Sequence, residues 1–157
     1  MTAPQIHLVF NHFPLIISLI AIPILCYGIY KNSSILIKTG FILNIAVLIF
    51  TLPLYFSGEE AEEVVEHIEH VSRDFIHEHE EIAEKSFVFA IFLGIISLAG
   101  LLNFPRKFSV IMPKVVLVAS VLSFILFAYV AHLGGRISHP ELREGFVPNI
   151  ENHNHGE

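Results

Sequence analysis

The amino-acid sequence predicts an all-α fold: a four-transmembrane-helix bundle with a short extracytoplasmic helical hairpin. Three observations predict it. Of the 157 residues, 54% are hydrophobic and only 15% charged, where a soluble domain has about 45–50% apolar and about 25% charged residues. Four apolar stretches reach the roughly 20 residues that cross a hydrocarbon core. The charges between those stretches also segregate by sign. One domain is expected over residues 1–145, with an acidic, His-rich segment at 57–82, followed by a disordered His-containing tail at 146–157.

The first stretch covers 8–30, and Pro4 can open its helix earlier. Read as a signal peptide, this run would lack a basic n-region, exceed a usual apolar core and show no small-residue cleavage pattern, so it is expected to be a retained helix. Pro14 cannot donate to the carbonyl of Phe10, which predicts a kink. The second, third and fourth stretches cover 35–56, 82–104 and 111–133. Lys38 and Lys114 lie within a turn of helix ends and can snorkel, while Tyr30, Tyr55 and Tyr129 stand where amphipathic rings are favoured. Gly58 and the pair Gly134-Gly135 punctuate the exits of the second and fourth stretches.

Charge sets the orientation. Lys31, Lys38, Arg106, Lys107 and Lys114 flank two short connections that contain no acid. The other side carries Arg73, Lys85, Arg136 and Arg143 among all fifteen acids. Lys/Arg excess in short loops marks the cytoplasmic side. A multi-pass protein of the cell inner (cytoplasmic) membrane, with both termini extracytoplasmic, is the expectation. All ten histidines fall on that outward side. A net charge of −6 leaves no basic patch for nucleic acid. The single Cys26 lies in an apolar run, so no intrachain disulfide forms. With no Gly-x-Ser-x-Gly elbow either, serine or cysteine hydrolysis is disfavoured. A metal-dependent enzyme stays open.

The acidic segment from Gly58 to His70 reads as a helix that opens with acids, as the N-terminal dipole prefers. Glu63, His67 and His70 share one of its faces. Ser72 can cap a second helix from Arg73 that runs into the third span. On it, His77, Glu81 and Glu84 share a face, and His79, Ala83 and Ser86 another. The two would form a lid over the outer end of the bundle. Imidazoles and carboxylates at these spacings suit non-haem iron, manganese or zinc, with iron, copper or zinc the ions expected for the protein as a whole, and they equally describe a solvated, charged hairpin.

Within the spans, His7, Asn11 and Ser18 form one polar stripe, and Asn44, Thr51 and Tyr55 another. Polar groups at this depth are costly towards lipid, so both stripes should face the bundle interior. His132 precedes Gly134-Gly135, where a backbone or flat ligand can approach, and Arg136 could meet an anionic group such as a propionate. His12 and His132 would sit at similar depth. The plainer role for each is that of an interfacial histidine that merely caps or hydrogen-bonds.

His12-Phe13-Pro14, opening the first helix, and His132-Leu133-Gly134-Gly135, closing the last, resemble the signature of a family of uncharacterised bacterial four-helix predicted membrane proteins. The acidic stretch from Gly58 to His67 and the later His79-Glu80-Glu81 are similar to a subgroup of it. The resemblance implies a four-helix membrane fold and singles out His12, His67, His79 and His132. It does not account for His70, His77, or the His153-Asn154-His155 tail.

These residues point to a metal ion or b-type haem held by histidine at the extracytoplasmic end, in electron transfer with a quinone or periplasmic redox partner. His12, His132 and Arg136 suit haem. His7, His12, His67, His79, Glu80, Glu84 and His132 suit a metal ion. The alternative is a non-enzymatic metal-binding accessory subunit of a larger membrane complex, or a homo-oligomer, that captures a divalent cation. No polar path reaches the basic side, which disfavours a stand-alone transporter.

Overall fold

The computed structural model describes residues 2–66, 73–102 and 110–139. They form five helices: α1 (Ala3–Phe10), α2 (Phe13–Tyr30), α3 (Ser34–Glu66), α4 (Arg73–Leu102) and α5 (Met112–Ser138). Four stretches are long and apolar enough to cross a membrane: Pro4–Tyr30, Ser34–Val64, Arg73–Leu102 and Met112–Ser138. The architecture is that of a multi-pass membrane protein. Helix α2 packs on α3, α3 on α4, α4 on α5 and α5 back on α2, a closed square of antiparallel neighbours, with α1 laid against α3.

Burial is inverted relative to a soluble bundle. Ile20, Ile42, Ile49, Phe92, Ile95 and Val118 point outwards, whereas Ser18, Asn44, Ser86, Ser97, Ser120 and Ser123 are enclosed. Lipid tails are as apolar as leucine, so helices in a bilayer associate through close contact and hydrogen bonds rather than apolar burial. Gly28 shows the close contact. A Cβ there would lie 2.9 Å from Leu36 Cβ and 3.0 Å from the Ile37 backbone nitrogen. Because the obstacle includes backbone, Gly28→Ala is expected to force α2 and α3 apart and destabilise the protein by about 1–3 kcal/mol. Thermal unfolding in mild detergent measures it.

The α2–α3 turn closes with the two hydrogen bonds of a Schellman motif. Ser33 N–H donates to Gly28 O (2.9 Å) and Asn32 N–H to Ile29 O (3.2 Å). Asn32 takes the left-handed conformation, φ 50°, which asparagine tolerates best after glycine. Lys31 lies over the rings of Tyr27 and Tyr30, 5.9 and 5.0 Å from their centroids, an amphipathic group at the basic end of the bundle.

Two expectations meet a different structure. The kink at Pro14 is a break: α1 ends at Phe10 and α2 begins at Phe13, with Asn11 and His12 in a turn. Phe13 then stacks on Phe50 of α3 at 4.9 Å and 10°. Gly58, expected to end the second span, does not. Helix α3 runs on for 33 residues to Glu66, because the strong helix formers of Glu59-Glu60-Ala61-Glu62-Glu63 outweigh the roughly 1 kcal/mol that one glycine costs. The hairpin arms are thus continuations of the spans. At 1.5 Å per residue α3 is about 50 Å long, roughly 20 Å more than a hydrocarbon core. A Cβ on Gly58 would meet only His7 Cε1, at 3.9 Å, an ordinary contact. Gly58→Ala should therefore stabilise the protein by about 0.5–1 kcal/mol, read as a raised unfolding midpoint.

Candidate functional site

The acid-rich ends of α3 and α4, the whole of α1 and the C-terminal turns of α5 lie at one end of the square. Helix α1 opens at Thr2, whose N–H donates to the Gln5 side chain at 3.1 Å, with Pro4 in its first turn, where a missing N–H costs nothing. This places His7 and Asn11, one turn apart, against the emerging part of α3. The His7 ring takes the Leu54 carbonyl as a backbone partner and lies beside Gly58. Its Nδ1 is buried and has no hydrogen-bond partner among the described residues, and the same holds for Asn11 Oδ1.

His79, on α4, is directed at the last turns of α5. Its Nδ1 is 3.2 Å from the Val130 carbonyl oxygen. A carbonyl only accepts, so Nδ1 carries the proton and Nε2 of the neutral ring keeps the lone pair. Metal-binding histidines have this arrangement, one nitrogen fixed by an acceptor and the other left for the ion. Gly134 makes room for it: a Cβ there would stand 3.3 Å from His79 Cε1 and 3.6 Å from Nδ1. His7 and His79 are close enough that a charge on one acts on the other.

At the same end, Glu78 gathers α5. It accepts a hydrogen bond from the Tyr129 hydroxyl at 3.0 Å and faces the Arg136 guanidinium at 3.9 Å. Arg136 also lies over Phe75, 4.5 Å from its centroid. Glu81 is taken by Lys85 at 2.6 Å, and Glu80 faces His77 at 3.8 Å with both side chains exposed.

The candidates read from the sequence divide accordingly. His7 and His79 are partly buried and within electrostatic reach of each other. His12 stands at the N-cap position of α2 without a side-chain capping hydrogen bond and is exposed, and His132 on α5 is exposed. Arg136 is half-buried and engaged with Glu78 and Phe75. Glu80 and Glu84 are exposed. His67 and His70, Ser72 with its expected cap, Arg106, Lys107, Arg143 and the tail at 146–157 lie outside the described residues. Cys26 is exposed on α2. Of the polar stripes, Ser18, Asn44 and Thr51 are buried as expected, but Tyr55 is exposed and stacks on Phe87 at 4.0 Å.

Sequence reasoning did not single out Glu78, or the carbonyls of Leu54 and Val130. Carbonyls leave no mark in a sequence. Glu78 did leave one, since Tyr129 and Arg136 are seven residues apart and share a face of α5. Among the described residues no three His, Cys, Asp or Glu side chains gather as metal ligands. The partly buried donors at this end are two imidazoles within electrostatic reach of each other, with the Asn11 amide oxygen a turn from the first. Comparison with protein-family models, with curated proteins and with solved structures finds no match to this chain.

Proposed function

We propose that the acidic, extracytoplasmic end of the bundle binds a metal ion through His7 and His79 and that the protein serves electron transfer in the inner membrane. The observation that carries this reading is the state of the two rings. His79 has Nδ1 committed to the Val130 carbonyl, leaving Nε2, and His7 has a buried Nδ1 without a partner. A buried nitrogen left unpaired costs about 1–3 kcal/mol, and a ligated ion removes that penalty.

Two imidazoles with an amide oxygen suit iron, copper or zinc of borderline softness. Such a set leaves coordination positions open. An ion there would supply Lewis acidity or, for iron or copper, a one-electron couple. The chain's own part is to hold both rings in one tautomer, to pack α1 on α3 beside the site, and to carry the exposed carboxylates of Glu59, Glu60 and Glu80 at the same end of the bundle. A quinone or a periplasmic protein is the proposed redox partner, and the family resemblance of the His-Phe-Pro and His-Leu-Gly-Gly motifs is proposed in the same sense.

In the b-type haem form, His12, His132 and Arg136 would hold the group. Both histidines face outwards and Arg136 is engaged with Glu78, so that form needs a second copy or another subunit to enclose it. The accessory-subunit reading draws on the exposed Glu59, Glu60 and Glu80, which would capture an exchangeable divalent cation. Purification in mild detergent, with an absorption spectrum and elemental analysis, tests all three. One tightly held iron, copper or zinc per chain without a Soret band is expected. A Soret band moves the assignment to haem, micromolar exchangeable metal moves it to the accessory role, and neither metal nor haem at any loading overturns the proposal.

A further inference from the structure

The bundle interior carries polar side chains in tiers, counted from the glycines that face the histidine pair. Thr51 lies seven residues below Gly58, and Ser86 seven below His79, about 10 Å down at 1.5 Å per residue. Ser18 is eleven residues from His7, and Ser123 eleven from Gly134, about 16 Å down. Asn44 and Ser120 are each fourteen residues from Gly58 and Gly134, about 21 Å down. All six are buried, and successive tiers are about one helical turn apart.

Their hydrogen bonds are uneven. Thr51 and Ser86 donate to their own helix carbonyls, Val47 O and Ile82 O, both at 2.7 Å, and keep lone pairs free to accept. Asn44 Nδ2 donates to Ser120 Oγ at 2.9 Å, and Ser120 Oγ can pass its proton on to Val116 O at 2.7 Å. The middle tier has nothing. Ser18 Oγ and Ser123 Oγ, at 0% and 1% exposure, have no partner among the described residues. At the top, His7 Nδ1 and Asn11 Oδ1 are unpartnered as well.

Buried hydroxyls without partners are costly in lipid, and water is the small donor and acceptor that bridges tiers one turn apart. Below Asn44 and Ser120 the interior is apolar, closed by Leu25, Ile37, Phe41, Leu93 and Val116, except for Ser97, whose buried Oγ also has no partner among the described residues but has no second polar side chain beside it in that layer. We infer that a file of ordered water runs from the His7–His79 pair to the Asn44–Ser120 pair and stops there, making the acidic half of the bundle a proton-accessible half-channel. The inference rests on the fold and the unpartnered hydroxyls, and holds whether or not the histidines carry metal. Such a file would let a proton follow a change of charge at the histidine pair without crossing the membrane.

Water-edited solid-state NMR on the full chain in lipid bilayers tests it, with and without added zinc. Water magnetisation should reach Ser18, Ser123 and the Asn44 amide as fast as exposed Glu80. Leu25 and Val116, below the Asn44–Ser120 pair, should lag. The double variant Ser18→Ala/Ser123→Ala should lose the water signal at Asn44 while Thr51 keeps it. Transfer to Ser18 and Ser123 as slow as to Val116 overturns the inference, as does an unchanged Asn44 signal in the double variant. Dry tiers in a protein that binds metal would sink the water file alone. Wet tiers in a protein that never binds metal would sink only the metal site.

Discussion

His79→Ala is expected to lower metal affinity at least about 100-fold, beyond the roughly 10–100-fold that follows loss of a mere supporting partner. The reason is that His79 contributes a nitrogen whose ring is already oriented by Val130. His7→Ala should do the same, because its unpartnered Nδ1 is the other buried donor. His12→Ala and His132→Ala, which remove exposed rings, should leave affinity unchanged in the monomeric protein. Titration with zinc or copper, checked by elemental analysis after dialysis, reads all four. If the outer pair strips the metal and the inner pair does not, the site lies on the outer surface and the assignment to His7 and His79 fails.

Gly134→Leu should have the second-largest effect. A Cβ at Gly134 already presses on the His79 ring at 3.3 Å, and a branched side chain would occupy the ring's place. Losing the Nδ1 bond that fixes tautomer and direction is expected to weaken metal binding roughly 10–100-fold. Gly134→Ala should fall in between, since the ring need give only slightly. Leucine is the better helix former by about 0.5–1 kcal/mol, so α5 itself should persist, with an unchanged circular dichroism spectrum. A leucine variant that binds as the native protein does would show that the Val130 carbonyl plays no part.

The membrane-crossing architecture was legible because apolar runs of this length have one common physical outcome. The inward direction of Ser18, Asn44 and Thr51 was legible for the same reason: lipid penalises them. Other features depend on rotation about a helix axis that no run of residues carries. Across the turn before Pro14 the stripe of His7, Asn11 and Ser18 still points inwards, and His12, one residue on from Asn11, is exposed. His132 was a different matter. It stands two residues, about 200°, from Gly134, so a glycine facing His79 leaves His132 facing out. That opposition was present in the sequence and went unread. The continuation of α3 past Gly58 was missed by weighting one weak breaker above the five helix-forming residues that follow it.

Four rods packed as a square, each touching mainly its neighbours, can shear into a rhombus while the adjacent contacts are kept. Helices α3 and α5 stand diagonally and meet little, yet Asn44 and Ser120 tie them across the centre at 2.9 Å. A tie across the diagonal resists that collapse as a strut stiffens a frame, and it also selects one vertical alignment of the two rods. The cross-section on which every interior distance depends is thereby held by two side chains at mid-depth.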